Sequence, residues 1–216
     1  MIEDTLRITE IFYSLQGETS TVGLPTAFVR LTGCPLRCHY CDTEYAFHGG
    51  QKYSISEILN EVGGLNTSHV TVTGGEPLAQ PTCLELLTAL CDGGYRVSLE
   101  TSGAVPTGDV DPRVAVILDI KTPGSGEVAR NHWDNIKHLK PGDEVKFVIC
   151  DRTDYEWARL QLDQHNLTGR KVEVLFSPSH GQIEARALAD WVIEDRLPVR
   201  MQLQLHKQLW GDVPGK

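Results

Sequence analysis

The chain has 216 residues, 40% of them apolar and 23% charged, and a formal net charge of −9. That length suffices to bury one sizeable core, no run of about 18 apolar residues offers a membrane helix, and the acidic balance disfavours nucleic acid, whose non-specific binding needs basic surface. The acidic start, Met1–Asp4, carries no apolar stretch of the kind a signal peptide needs, so no membrane and a cytoplasmic location are expected, where six cysteines do not read as a disulfide framework.

In chain order, residues 26–32 (TAFVRLT) read as a strand, and it runs into Cys34-Pro-Leu-Arg-Cys38-His-Tyr-Cys41. Ser54 and Glu57 form a capping box that opens a helix to about Val62. His69–Thr73 is a short β-branched strand leading to Gly74-Gly75, and a helix follows over about 81–92. Tyr95–Leu99, Val114–Ile120, Glu144–Ile149 and Lys171–Phe176 read as strands, with a helix over 153–166 between the last two. A helix over 182–195 and an alternating strand, Val199–Leu205, complete the pattern. Strands alternating with helices predict βαβ units and a parallel sheet. About six such strands give an α/β fold, a partial TIM-like barrel forming one domain over residues 1–216, with an N-terminal substrate-binding segment and a short C-terminal extension. The motifs with unusual chemistry all fall at the C-terminal ends of the strands, where such barrels carry their active sites.

The cysteines are spaced C-x3-C-x2-C, and no fourth lies close by. Three thiolates on one loop can hold three corners of an iron–sulfur cube, whereas a fully ligated cluster takes four. One iron would stay open for another ligand. Two rivals compete. Zinc would need a fourth ligand, such as His39 or His48, and a four-thiolate electron carrier would need one of Cys83, Cys91 and Cys150, which read instead as small buried hydrophobes. The spacing, with Tyr40 directly before the last cysteine, resembles the radical S-adenosylmethionine (SAM) superfamily. The resemblance implies a 4Fe-4S cluster on Cys34, Cys38 and Cys41, with SAM chelated to the open iron. Cleavage of SAM then yields a 5′-deoxyadenosyl radical that takes a hydrogen atom from the substrate. Tyr40 would lie against the adenine. Gly74, Gly75 and Glu76 resemble the glycine-rich motif that grips the methionyl amine. Glu100 and Ser102 suit the ribose diol. Asp119 and Lys121, two charges ending an apolar strand, read as a SAM contact or an internal ion pair.

On the substrate side, Arg30 sits in the apolar strand Phe28–Leu31, where its fork suits a carboxylate, either a ligand's or a protein acid's. Gln16 and Glu18 can read the donor and acceptor edge of a heterocycle. His206, expected at a strand end, is a candidate site residue, and His180 a weaker one. Leu15–Glu18, Gly33–Cys38, Cys41–Thr43, Thr73–Pro77 and Leu205–Lys207 together resemble the 7-carboxy-7-deazaguanine synthase family over nearly the whole chain. That resemblance implies conversion of 6-carboxy-5,6,7,8-tetrahydropterin to 7-carboxy-7-deazaguanine with loss of ammonia, toward queuosine, with SAM regenerated. It further implies Mg²⁺ contacted by Thr43, a homodimer, and an electron donor such as flavodoxin or ferredoxin. Arg30 matches the substrate-carboxylate position, Leu15–Gly17 the pterin-contacting run and Thr73 another substrate contact. Gly75, Tyr40, Cys41 and Asp42 match SAM contacts. His206 and Glu18 are the candidates for moving protons. The tail beyond His206 carries no assignment. A glycyl-radical enzyme activase and a non-catalytic zinc module are the competing readings.

Overall fold

The computed structural model describes residues 5–211, 213 and 215; the acidic start lies outside them. In chain order the elements are β1 (Thr5–Leu15), β2 (Pro25–Leu31), β3 (Gln51–Ser54), α1 (Ile55–Gly64), β4 (His69–Gly74), α2 (Cys83–Asp92) and β5 (Arg96–Thr101). They continue with β6 (Ala115–Ile120), β7 (Glu144–Ile149), α3 (Arg152–Gln164), β8 (Glu173–Pro178), α4 (Ala185–Glu194), β9 (Arg200–Met201) and α5 (Leu205–Trp210). One sheet of nine strands runs in the order β3-β1-β2-β4-β5-β6-β7-β8-β9. From β2 through β9 every neighbouring pair is parallel, while β1 is antiparallel to both β2 and β3.

Three elements depart from the sequence expectation. First, β1 was not foreseen. Its alternation starts with Leu6 and Ile8 pointing to the core, but a bulge between Ile8 and Glu10 shifts the parity by one residue. Glu10 and Phe12 thereby join Phe28 and Arg30 on the opposite face. Second, β3 is a short edge strand whose sequence, QKYS, has no apolar pattern. Third, the strand expected over Val199–Leu205 is only Arg200–Met201, and Leu205–Trp210 turns into a helix. His206 therefore sits in the first turn of α5, not at a strand end.

The sheet has two unlike faces. Its outer side chains pack under the helices in two clusters. One joins Val29, Val72 and Leu99 to Ile58 of α1 and Leu86 of α2. The other joins Ile120, Phe147 and Phe176 to Tyr155 and Leu162 of α3 and Leu188 of α4. Burying each such aliphatic or aromatic side chain contributes about 1.5–3 kcal/mol. The inner face reads Arg30, Thr73, Glu100, Asp119 and Lys146, one residue from each of five neighbouring strands. The sheet is open, since β3 and β9 are edges. Yet Leu205 N–H, after β9, donates to Gly17 C=O, after β1, at 2.8 Å. The Gln202 amide also donates to Thr19 C=O at 2.6 Å. Segments following strands near opposite ends of the sheet can meet only if it curls. The result is a partial barrel closed by loop hydrogen bonds rather than by strand pairing.

Candidate active site

The concave face encloses a cavity of about 710 Å³. Every site residue proposed from the sequence lines it except Glu76. His180 lines it too.

The cysteine loop follows β2. Gly33 takes a left-handed conformation (φ 98°), which lets the chain turn sharply off the strand. Cys34, Cys38 and Cys41 are free thiols, each partly exposed to the cavity. Burial pushes the Cys38 thiol up to about 11 against the pull of Lys121, and it raises Cys34 and Cys41 as well. Burial thus favours the thiol form of these side chains, and iron binding must displace their protons. Gly75 presses on this loop: a Cβ there would lie 2.2 Å from Gly33 O and 2.8 Å from Cys34 Cβ. Only glycine allows that approach. Among the described residues, no three His, Cys, Asp or Glu side chains are grouped as closely as a single metal ion requires. The three thiols facing one cavity, backed by a glycine cradle, do fit three corners of a cluster. Cys83 is buried as expected, but Cys91 and Cys150 are only partly covered.

Glu76 is placed differently from its expected role. It is 0% exposed and does not line the cavity. Its oxygens accept from Leu78 N–H (3.0 Å), Thr101 Oγ (3.0 and 2.9 Å), Ser102 N–H (2.7 Å) and Ser102 Oγ (2.5 Å). A carboxylate this fully satisfied has no free lone pair for an ammonium group. Its work is to clamp the 100–103 turn onto the glycine motif.

Asp119, Lys121, Lys146 and Glu18 form a line of charges across the cavity floor. Lys121 Nζ lies 3.0 Å from Asp119 Oδ2, and Lys146 Nζ lies 3.5 Å from the same oxygen. Lys146 Nζ is 2.5 Å from Glu18 Oε2, and the Gln204 amide donates to Glu18 Oε1 at 2.9 Å. Burial works against every charge here, but mutual attraction outweighs it. Glu18 and Asp119 are held below the ordinary carboxylate range, and both lysines are raised. Asp119 Oδ1 and the Tyr40 hydroxyl are buried without a hydrogen-bond partner among the described residues.

Glu100 does not face the same surroundings. It accepts from Gln16 Nε2 (3.2 Å) and Thr73 Oγ (2.9 Å). Burial and the nearby Glu18 push its carboxyl above the usual range. It therefore belongs as much to the Gln16–Thr73 side as to the ribose side that the sequence suggested.

Arg30 meets a protein acid. Its Nε donates to Glu10 Oε1 at 2.7 Å, and Tyr45 Oη donates to the same oxygen at 2.7 Å. Glu10 and Arg30 are directly opposed in the β1–β2 register, so this is a cross-strand pair. The guanidinium also lies 5.6 Å from the Phe12 ring centroid and 5.9 Å from that of Tyr45. Its terminal nitrogens have no protein partner among the described residues, and Arg30 lines the cavity.

His206 packs against Gly17: a Cβ at residue 17 would lie 2.2 Å from His206 Nδ1. Burial lowers the imidazole from the usual histidine range, which favours its neutral form. Thr43 Oγ donates to Asp42 Oδ1 at 2.8 Å, and Lys207 Nζ is 3.2 Å from Asp42 Oδ2. Burial opposes ionisation of Asp42, but Lys207 and Thr43 hold it below 3.8. A hydroxyl beside an ionised carboxylate fits a hard cation that keeps most of its waters.

Sequence reasoning missed Glu10, Lys146 and Gln204. Lys146 did carry a signal, since a lysine in the central strand EVKFVI needs a buried partner.

A partial parallel barrel with a three-cysteine loop at its strand ends defines a radical SAM enzyme. The Radical SAM superfamily model matches residues 28–122. The chain is 48% identical over 212 residues to a 7-carboxy-7-deazaguanine synthase of Chlorobaculum tepidum, covering 97% of this chain and 96% of that one. It is 46% identical to one of Koribacter versatilis (95% and 97% covered) and 37% identical to one of Thermoplasma acidophilum (96% and 99%). The crystal structure of QueE from Escherichia coli shares the fold, with a TM-score of 0.76, 24% identity, and 94% and 95% of the chains covered. The chain belongs to the 7-carboxy-7-deazaguanine synthase family, radical SAM enzymes of queuosine biosynthesis.

Proposed function

We propose that the cavity binds 6-carboxy-5,6,7,8-tetrahydropterin beside SAM and converts it to 7-carboxy-7-deazaguanine with loss of ammonia. The observation that carries this reading is one cavity lined both by the three thiols and by Arg30, Gln16, Glu18 and Thr73. The chemistry supplied by a bound 4Fe-4S cluster and SAM is one-electron cleavage of the sulfonium and removal of hydrogen from C6 of the pterin. Cys34, Cys38 and Cys41 would hold the cluster. Tyr40, Gly74, Gly75, Ser102, Asp119 and Lys121 would surround SAM. The free edge of Arg30 takes the substrate carboxylate while Glu10 fixes its Nε. Gln16 and Glu18 take the pyrimidine edge, with Leu15, Gly17 and Thr73 shaping the slot. His206, packed against Gly17 and biased to its neutral form, can accept a proton, and Glu18, whose ionised form Lys146 favours, can accept one too. Thr43 with Asp42 would place Mg²⁺, which orients the substrate and offsets its charge.

The reading includes a homodimer reduced by flavodoxin or ferredoxin in the cytoplasm, and a single domain, which the one continuous sheet supports. Anaerobic incubation of reconstituted protein with the carboxytetrahydropterin, SAM, Mg²⁺ and dithionite tests it. The expected result is many equivalents of deazaguanine per SAM. Absence of both that product and deuterium transfer from substrate into SAM would overturn it. The same assay without Mg²⁺ should run at least about tenfold slower. A glycyl-radical activase would need neither Arg30 nor the Gln16–Glu18 run in its cavity.

A further inference from the structure

Lys146 is the charged group in the cavity that none of the motifs accounts for. It projects from β7 onto the inner face, and its side chain is 13% exposed. Two carboxylates flank it, Glu18 at 2.5 Å and Asp119 at 3.5 Å. Asp119 already has a closer cation, Lys121 at 3.0 Å. Neutralising Asp119 therefore does not require Lys146. Glu18 is different. It stands on the loop after β1, and among the described residues its carboxylate is gripped, apart from Lys146, only by the Gln204 amide. Lys146, by contrast, rides on a strand hydrogen-bonded on both sides, to β6 and β8. It is the rigid point to which the loop carboxylate is tied.

We propose that Lys146 is the positioning residue of the substrate half of the site, holding Glu18 where its carboxylate receives the N–H edge of the bound heterocycle. This rests on the pterin reading above. Among the described residues each Glu18 oxygen has one protein donor, which leaves a second lone pair for a ligand. A two-point acceptor of that kind matches an amino group and a ring N–H side by side. Losing Lys146 leaves the carboxylate on one amide and lets it turn.

The test uses reconstituted enzyme, with KM for the pterin and for SAM measured separately, and with SAM affinity of the unreduced enzyme measured by equilibrium binding. Lys146→Met is expected to raise the pterin KM about tenfold or more while SAM affinity changes less than about twofold. Glu18→Gln should do the same, and adding it to Lys146→Met should cost little further, because the two act through one contact. Lys146→Arg should recover most of the loss. A pterin KM within twofold of wild type in Lys146→Met would overturn the proposal, as would equal losses of pterin and SAM affinity or strictly additive single effects. Should Lys146→Met fail to take up iron, Glu18→Gln decides, since it leaves Lys146 paired with Asp119. An unchanged pterin KM there overturns the proposal. Wild-type enzyme that makes no deazaguanine would instead sink the pterin reading itself.

Discussion

On the cysteine side of the cavity, residues 34–41, 74–76 and 100–103 leave three neighbouring strands, β2, β4 and β5, within one contiguous part of the chain. Glu76 binds the last two groups together across only 25 or 26 positions. On the heterocycle side the distances along the chain are far longer. Glu18 is 128 positions from Lys146 and 186 from Gln204, and Ser20 is 124 from Glu144. The first region is built by consecutive βα units and backbone approach. The second is assembled by side chains that meet only after the sheet has curled. Damage to the first should therefore appear as lost stability, and damage to the second as lost substrate recognition in a folded protein.

The largest effect expected from breaking this contrast is at Glu76. Glu76→Ala leaves the buried donors of Leu78, Thr101 and Ser102 without their acceptor. Several hydrogen bonds to one charged group are lost, at about 1.5–3 kcal/mol each before relaxation, so a loss of about 4 kcal/mol is expected. Urea denaturation should show a lower midpoint with an unchanged slope. If stability holds and only SAM binding fails, Glu76 is a ligand contact after all, and the contrast is wrong.

Gly17→Ala probes the other region and should be milder. The new methyl would collide with the His206 ring, so α5 must move or the 15–18 run must. Overpacking of this kind costs about 1–3 kcal/mol. Most of it should fall on the contact between the two ends of the barrel. Hydrogen exchange should quicken at Leu205 N–H, which Gly17 C=O protects, while β4 and β5 amides keep their rates. Uniform acceleration over the whole sheet would show that the two regions are one cooperative unit.

The same contrast explains what was readable in advance. The cysteine loop, the glycine pair and the strands leading to them were legible because ligand spacing and apolar runs are local properties. Glu10 was not, because the Ile8–Glu10 bulge breaks the period-two pattern of β1. With β1 unrecognised, the protein acid allowed as one partner of Arg30 could not be named, although its Nε has a cross-strand partner in Glu10. Lys146 was passed over because its apolar neighbours on β7 marked a core strand, and only the curl of the sheet turns alternate residues toward a cavity. The helix at Leu205–Trp210 has six residues, too few for a periodic signal. The expected strand therefore ran on to Leu205, the first residue of this helix.

The smallest effect separates two carboxylates in one cavity. Glu18 is lowered from 4.5 because Lys146 and two hydrogen bonds outweigh burial. Its pairing thus stabilises the fold above pH 4.5, and that contribution fades as pH falls through the folded value. Glu100 is raised because burial and the Glu18 charge outweigh Lys146 and Thr73. Its ionised form is therefore disfavoured in the fold, which costs stability at neutral pH and is relieved as pH falls toward the raised value. The two substitutions should consequently have opposite signs at pH 7. Glu18→Gln is expected to lower stability by about 1 kcal/mol, and Glu100→Gln to leave it unchanged or raise it by a similar amount. Thermal midpoints measured at pH 5 and pH 7 check both. For Glu100→Gln the gain over wild type should shrink as pH falls, because the raised pKa lets wild-type Glu100 take up its proton earlier than an ordinary carboxyl. A loss of stability at pH 7 in both variants would mean that Glu100 has a cationic partner as effective as the one Lys146 provides for Glu18, and the asymmetry between the two carboxylates would disappear.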